Sequence, residues 1–85
     1  MAYTIVITKK AKRDIDNLEP IIKNRLGKKL KQVMAMDDIF PVVRQLVDSR
    51  IGSYRLRVGD YRILFDLEKN QIIILRVQHR KDVYK

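Results

Sequence analysis

The stretch GSYRLRVGDYRILF, residues 52–65, contains two segments of alternating side chains that meet at Gly59-Asp60. A glycine-aspartate pair between such segments predicts a β-hairpin with a two-residue turn. A turn at these residues places Arg57 directly opposite Arg62. Because like charges that face each other destabilise a sheet, this pairing indicates an anion bound between the two guanidinium groups.

The hairpin is predicted to have one apolar and one basic face, because side chains alternate along a strand. The apolar face, expected to pack against helices, consists of Tyr54, Leu56, Val58, Tyr61, Ile63, Phe65 and Leu67. The opposite face, here called the arginine face, consists of Arg55, Arg57, Arg62, Leu64 and Asp66. Helices can cover only the first face, so we expect the arginine face to be open, with Leu64 leaving apolar surface among the cations. The alternative to an anion site is that the arginines point into solvent beside Asp60 or Asp66.

The rest of the chain predicts two helices and two further strands. Residues 3–7 are rich in strand-forming side chains, and Thr8 is placed to cap a helix with the apolar stripe Ala11, Ile15 and Leu18. Pro20 opens a second helix that ends near residue 36 and buries Ile22, Leu26, Leu30 and Val33. Residues 42–47, VVRQLV, fit either a short strand or a packed connector. With strands at 54–58, 61–67 and 71–78, the order β-α-α-β-β-β predicts an α+β fold, a helical hairpin on one face of a mainly antiparallel sheet.

Length and composition predict one cytoplasmic domain, residues 1–85, with a polyanionic partner. The chain has 19 lysines and arginines against 10 acidic residues, a net charge of +9. Such an excess favours nucleic acid, a ribosome, an anionic membrane surface or an acidic protein as partner. With no cysteine and one histidine, we expect no metal site and no cofactor. No apolar run is long enough to predict a membrane span.

The last strand and the tail carry five further candidate residues: Arg76, His79, Arg80, Lys81 and Tyr84. A two-residue loop at Lys69-Asn70 places Arg76 on the core side and His79 with the hairpin arginines. A loop one residue longer exchanges the faces and gives Arg76 and Arg80 to the arginine face. Histidine titrates near neutral pH and therefore suits proton transfer. Tyr84 fits a terminal anchor and a platform for a nucleobase equally well.

Two of these segments together resemble the RelE/ParE toxin superfamily, and its RelE-type members in particular. They are YRLRVGDYRILF, residues 54–65, and, one strand later, HRKDVY, residues 79–84. The resemblance implies the toxin of a toxin–antitoxin pair, neutralised by an acidic antitoxin whose amphipathic segment we expect to cover the arginine face. It also implies a toxin that enters the A site of the 30S ribosomal subunit and cuts mRNA there.

The chemistry implied by the resemblance is metal-free attack of a ribose 2′-hydroxyl on the adjacent phosphate. By position, Arg62 matches a phosphate-stabilising arginine, Arg80 an arginine near the leaving group, and Tyr84 a tyrosine that stacks on a base. Arg55 lies where RelE has its presumed general-base lysine, and Ser53 lies where RelE has a second lysine. Arginine stays protonated, so Arg55 is expected to bind phosphate rather than accept a proton.

The general base is therefore either His79 or no residue of this chain, in which case positioning, charge and the ribosome account for catalysis. The predicted catalytic residues are Arg55, Arg62, His79 and Arg80, and the predicted RNA-binding residues are Arg57, Arg76, Lys81 and Tyr84.

Two other functions compete with the ribosome-dependent endonuclease. A ParE-like inhibitor of DNA gyrase would use the same fold as a protein ligand, and it needs no cluster of arginines, histidine and tyrosine. A non-enzymatic RNA-binding module would expose aromatic residues along its sheet face, where this chain places arginines and aliphatic residues. The sequence favours the endonuclease.

Overall fold

The computed structural model of the protein describes residues 3–46 and 52–83, so Tyr84 and residue 47 lie outside the described residues. In chain order the elements are β1 (Thr4–Ile7), α1 (Lys9–Asp16), α2 (Pro20–Ala35), β2 (Val43–Gln45), β3 (Tyr54–Val58), β4 (Tyr61–Glu68), β5 (Gln71–His79) and α3 (Arg80–Val83). They form a five-stranded sheet of order β1-β5-β4-β3-β2, in which only the β1–β5 pair is parallel. The predicted α+β class is confirmed.

Two elements go beyond the predicted order. The segment VVRQLV, which fits either a strand or a connector, contains β2. This strand pairs antiparallel with β3 at the edge of the sheet. The tail continues from β5 directly into the short helix α3. Within the described residues, no helix has both the length and the apolar character needed to cross a membrane.

The helices start where the sequence predicts. The Thr8 side chain accepts a hydrogen bond from the Ala11 amide, at 3.3 Å, and so caps α1. Pro20 lies in the first turn of α2, where its missing N–H costs nothing. Each helix contributes residues of its predicted stripe to the core, with Ala11 and Leu26 buried, whereas Ile22 of α2 is only half-buried and lies outside the core cluster.

The predicted apolar face of the hairpin is confirmed as one wall of the core. Leu56, Ile63 and Phe65 are at most 2% exposed and belong to one cluster with residues of both helices and of β5. Fully burying side chains of this size contributes roughly 1.5–3 kcal/mol each. Because the helices pack against this wall, the opposite face of β3 and β4, the arginine face, is the one that can bind a ligand.

The predicted register of the hairpin is confirmed residue by residue. Val58 pairs with Tyr61 and Arg57 pairs with Arg62, so Gly59 and Asp60 alone form the turn. Gly59 has a φ of +59°, a left-handed value that the first position of such a turn requires and that glycine adopts without a steric penalty. Sequence thus sets the turn, and the turn sets the opposition of the two arginines.

We expect Gly59→Ala to lower the free energy of unfolding by about 1 kcal/mol, because the left-handed backbone penalises an L side chain by ~1–2 kcal/mol. Gly27→Ala, in the exposed middle of α2, should instead raise it by about 0.5–1 kcal/mol. At both positions an added methyl group meets no atom within 4 Å, so only the backbone conformation differs. Urea unfolding of the two variants checks this; the same sign for both would contradict it.

The register of β5 differs from both predicted alternatives. The loop at Lys69-Asn70 has two residues, as the first alternative requires, since Glu68 pairs with Gln71. A β-bulge then intervenes, because Leu64 pairs with Arg76 whereas Phe65 pairs with Ile74, and Leu75 is the extra residue. Beyond the bulge the faces are exchanged.

The bulge corrects two predicted positions. Arg76 lies on the arginine face, as the second alternative predicted. His79 pairs with Tyr61 and shares the core side of the sheet rather than the side of the hairpin arginines. The loop therefore has the two residues of the first alternative, while the inserted residue gives Arg76 the face of the second alternative.

The arginine face is less open than predicted. Arg62 is only 3% exposed and Leu64 only 1%, so Leu64 leaves no apolar surface among the cations. Both lie on β4, the middle strand of the sheet, and the long neighbour side chains of Arg57 and Gln78 flank Arg62 on β3 and β5. The aliphatic stems of such residues shield what lies between them. Arg57, at the margin, is exposed.

Candidate active site

Four cationic side chains line one cleft on the arginine face. Arg57 and Arg62 come from the hairpin, and Arg80 and Lys81 come from the first turn of α3. The space they enclose, here called the arginine cleft, measures about 440 Å³, a size typical of small-ligand sites. Arg62, buried on the central strand, lies at its floor, while Arg57, Arg80 and Lys81 are exposed around it. The cleft is therefore suited to a phosphate group.

The start of α3 is fixed onto the hairpin by its backbone. The Arg80 amide donates a hydrogen bond to the carbonyl oxygen of Asp60, in the β3–β4 turn, at 2.8 Å. This contact brings the tail to the end of the hairpin where Arg57 and Arg62 lie. It explains how residues nearly twenty positions apart in sequence reach one cleft, as the resemblance implied for Arg62 and Arg80.

His79 is held by two contacts at the end of β5. Its ring packs edge-on against Tyr61, with the centroids 5.0 Å apart and the planes at 84°. Its Nδ1 accepts a hydrogen bond from the amide of Lys81 at 3.2 Å, as the side chain of an N-cap residue does. An amide can only donate, so Nδ1 carries the lone pair, and the neutral ring has its proton on Nε2.

The geometry of His79 bears directly on its predicted role as a base. The nitrogen that holds a lone pair is engaged by the backbone of α3. The ring lies on the core side with Tyr61 and is absent from the lining of the arginine cleft. Its contacts hold Lys81 in place.

A second cleft, here called the outer cleft, adjoins the first. It measures about 290 Å³ and is lined by Val42, Arg44, Arg55 and Arg57. Arg44 on β2 lies directly opposite Arg55 on β3, a second like-charged pair on the same face. Sequence reasoning missed Arg44 because residues 42–47 were not assigned to a strand.

Arg57 also borders basic residues in the middle of α2. Together with Gly59 it lines a shallow depression whose other walls include Arg25, Lys28 and Lys29. The exposed guanidinium of Arg57 thus lies where three basic surfaces meet.

Arg76, predicted to bind RNA, forms an ion pair with Asp14 of α1. Its Nε donates to Asp14 at 2.8 Å and its Nη2 donates to the second carboxylate oxygen at 3.3 Å. The hydrogen bond to Asp14 raises the pKa of Arg76, the negative charge of Asp14 adds to this effect, and partial burial opposes it. Asp14 also accepts a hydrogen bond from the Val77 amide at 2.9 Å. This bond gives a partner to a backbone N–H of β5 beyond the point where β1 ends. Arg76 is absent from the lining of the arginine cleft.

Ser53, which the resemblance implied to lie where RelE has a second lysine, makes a structural contact with β4. Ser53 donates to the same carboxylate oxygen of Asp66 from its amide and from its hydroxyl, both at 2.9 Å. These bonds tie the start of β3 to β4.

Comparison with known proteins agrees with the fold. Residues 5–84 match the family described as the ParE toxin of type II toxin–antitoxin system, parDE. Over 92 aligned positions the chain is 32% identical to Toxin RelG of Mycobacterium tuberculosis, covering all of this chain and 99% of that protein.

Two solved structures have closely similar folds. The toxin–antitoxin complex RelBE2 from Mycobacterium tuberculosis superposes with a TM-score of 0.75 at 28% identity, covering 94% of this chain and 100% of that chain. The RelB–RelE antitoxin–toxin complex from Methanococcus jannaschii has a TM-score of 0.74 at 23% identity, covering 94% of this chain and 95% of that chain. With 80 of its 85 residues inside the family match, the chain belongs to the ParE toxin family of type II toxin–antitoxin systems, within the RelE/ParE superfamily.

Proposed function

We propose that this toxin is a ribosome-dependent endonuclease that cleaves mRNA in the A site of the 30S subunit. The observation that carries the proposal is the arginine cleft, where Arg62 is buried beneath three exposed cations. A ligand of gyrase has no need of a buried arginine at the floor of a four-cation cleft. The similarity to Toxin RelG and to the RelBE2 complex supports the RelE-type function.

The reaction proposed is a transesterification within the RNA. The 2′-oxygen attacks the adjacent phosphorus, a P–O2′ bond forms and the P–O5′ bond breaks, which leaves a 2′,3′-cyclic phosphate and a 5′-hydroxyl. Arg62 binds the non-bridging oxygens of the phosphorane, on which negative charge accumulates, and Arg57 and Lys81 add positive charge at the rim. Arg80 stabilises the negative charge on the departing 5′-oxygen, which takes its proton from water or from a group of the ribosome. Preorganised charge in a partly buried site is the main source of acceleration in such a scheme.

The proton of the 2′-hydroxyl goes to a base outside the cleft lining. Arg55 stays protonated, and the lone pair of His79 is engaged by the Lys81 amide. We therefore assign His79 a positioning role and assign the acceptance of the proton to water or to a group of the ribosome. Tyr84, predicted to stack on a base, remains part of the proposed RNA-binding set.

The proposed protein partner is an acidic antitoxin that binds over the arginine face. The solved relatives named above are complexes of a toxin with an antitoxin. The net charge of +9 and the exposed Arg44, Arg57 and Arg80 favour an acidic chain on this side. An adjacent open reading frame for a small acidic protein, whose product blocks cleavage, would support this partner.

The test of the function is translation in vitro with the purified protein and mapping of mRNA 5′ ends. We expect new 5′ ends within codons occupying the A site, and we expect none when ribosomes are omitted. Cleavage products should carry a 5′-hydroxyl that is a substrate for polynucleotide kinase without prior phosphatase treatment.

A ParE-like action on DNA gyrase is the second candidate, favoured by the name of the matching family. It is tested in parallel by supercoiling of relaxed plasmid with purified gyrase. Inhibition of gyrase together with intact mRNA on programmed ribosomes would overturn the endonuclease proposal.

A further inference from the structure

We propose that the outer cleft is a second phosphate subsite, in which Arg44 and Arg55 bind a neighbouring phosphate of the RNA strand whose scissile phosphate lies in the arginine cleft. This inference rests on the proposed function, since it takes the ligand to be RNA. It assigns a binding role to Arg44, on β2.

The two clefts are neighbours that share one side chain. Arg57 lines both of them, with Arg62 on one side and Arg44 and Arg55 on the other. Adjacent strands are about 4.8 Å apart, so the backbones of β4 and β2 are separated by roughly 10 Å. A ligand that fills both clefts therefore carries more than one anionic group along an extended chain. Single-stranded RNA meets that requirement, because it bears one phosphate per nucleotide.

The chemistry of the outer cleft matches a backbone phosphate. Of the described residues that line it, three of four are arginines, whose planar fork of donors binds phosphate oxygens in pairs. The fourth, Val42, is 40% exposed and offers an apolar surface to a ribose or a base edge. None of the four is acidic.

A simpler role for Arg44 is to protect the edge of the sheet. Edge strands commonly carry charged side chains that prevent pairing with other chains. Edge protection requires a charge on β2 but does not require one that faces Arg55. A phosphate ligand accounts for the further observation that Arg44 lines the same cleft as Arg55 and Arg57.

The test measures binding of uncleavable RNA to the purified 85-residue protein. The probes are 2′-O-methyl oligonucleotides, which lack the attacking hydroxyl: a dinucleotide with one phosphate and a hexanucleotide with five. We expect Arg44→Gln to weaken hexanucleotide binding about three- to tenfold and to reduce the slope of log affinity against log salt by about one. Dinucleotide binding, which needs only the arginine cleft, should be unchanged.

Two further variants separate this subsite from the general charge of the protein. Lys69→Asn removes one charge at the far turn of the β4–β5 hairpin and suits the positive φ of that position, so it should leave both affinities unchanged. Arg44→Lys keeps the charge at the edge but loses the fork, and it should recover only part of the hexanucleotide affinity. Thermal unfolding of each variant reports whether the fold is kept.

Several results would overturn the subsite. These are equal weakening by Lys69→Asn, equal loss for dinucleotide and hexanucleotide, or no hexanucleotide binding by the wild-type protein at low salt. Weaker binding of the acidic antitoxin with unchanged RNA affinity would assign Arg44 to the protein partner instead. The proposed function is judged separately by cleavage with wild-type protein. If that cleavage is absent while Arg44→Gln still weakens hexanucleotide binding, the nuclease fails and the subsite stands.

Discussion

Arg62→Gln is expected to reduce the rate of mRNA cleavage on programmed ribosomes by about 10²–10³-fold while the protein remains folded. A loss of rate of this size is typical when an enzyme loses one preorganised hydrogen-bond donor to the negative charge that develops in the transition state. Arg62 is the cleft residue with the lowest exposure, 3%, so its charge is the least screened by solvent. Single-turnover cleavage, measured by mapping and quantifying mRNA ends, checks the prediction.

The choice of replacement follows from the burial of Arg62. Truncation to alanine would leave a void on the central strand and would confuse loss of stability with loss of catalysis. Glutamine fills part of the space and keeps polar atoms, and Arg62→Lys keeps both length and charge. The lysine variant should cleave faster than the glutamine variant and slower than the wild type, since a point charge cannot reproduce a bidentate contact.

Lys69→Asn is the matched control, because it removes one charge seven residues further along, roughly 23 Å away in an extended strand. It should cleave at the wild-type rate. A folded Arg62→Gln variant with undiminished cleavage, or an equal loss in Lys69→Asn, would show that the cleft does not stabilise the reacting phosphate.

The hairpin that carries Arg62 was predictable because three local signals agree. The signals are the turn residues, the alternation of side chains and the need to bury one apolar face against the helices. All three require Leu56 opposite Ile63, and the structure has that pair. When turn chemistry and burial specify the same register, a slip of one residue would expose the whole apolar face. The opposition of Arg57 and Arg62 follows from that register.

The end of β5 was not predictable in the same way. Residues 72–75 are Ile-Ile-Ile-Leu, a run without alternation, so the sequence does not mark where the strand changes face. The extra residue Leu75 exchanges the faces, and this places Arg76 beside Asp14 and His79 beside Tyr61. The role of β2 was missed for another reason. A three-residue edge strand is too short to show a period.

His79→Ala is expected to slow cleavage at least tenfold, whereas His79→Asn should stay within about threefold of the wild-type rate. Alanine removes the acceptor for the Lys81 amide and the contact with Tyr61, so Arg80 and Lys81 lose a fixed position over the cleft. Loss of an N-cap costs about 1 kcal/mol, and displacement of catalytic groups by even 1 Å can cost about 10²-fold in rate. Asparagine is among the best N-cap residues and restores the acceptor without titrating.

The comparison of alanine with asparagine separates positioning from general-base catalysis. Asparagine keeps an acceptor for the Lys81 amide but cannot take up the proton of the 2′-hydroxyl. Under the positioning role the asparagine variant should therefore cleave at close to the wild-type rate. If His79 is the base instead, asparagine will be as defective as alanine, and the proton of the 2′-hydroxyl will have to be assigned to the imidazole.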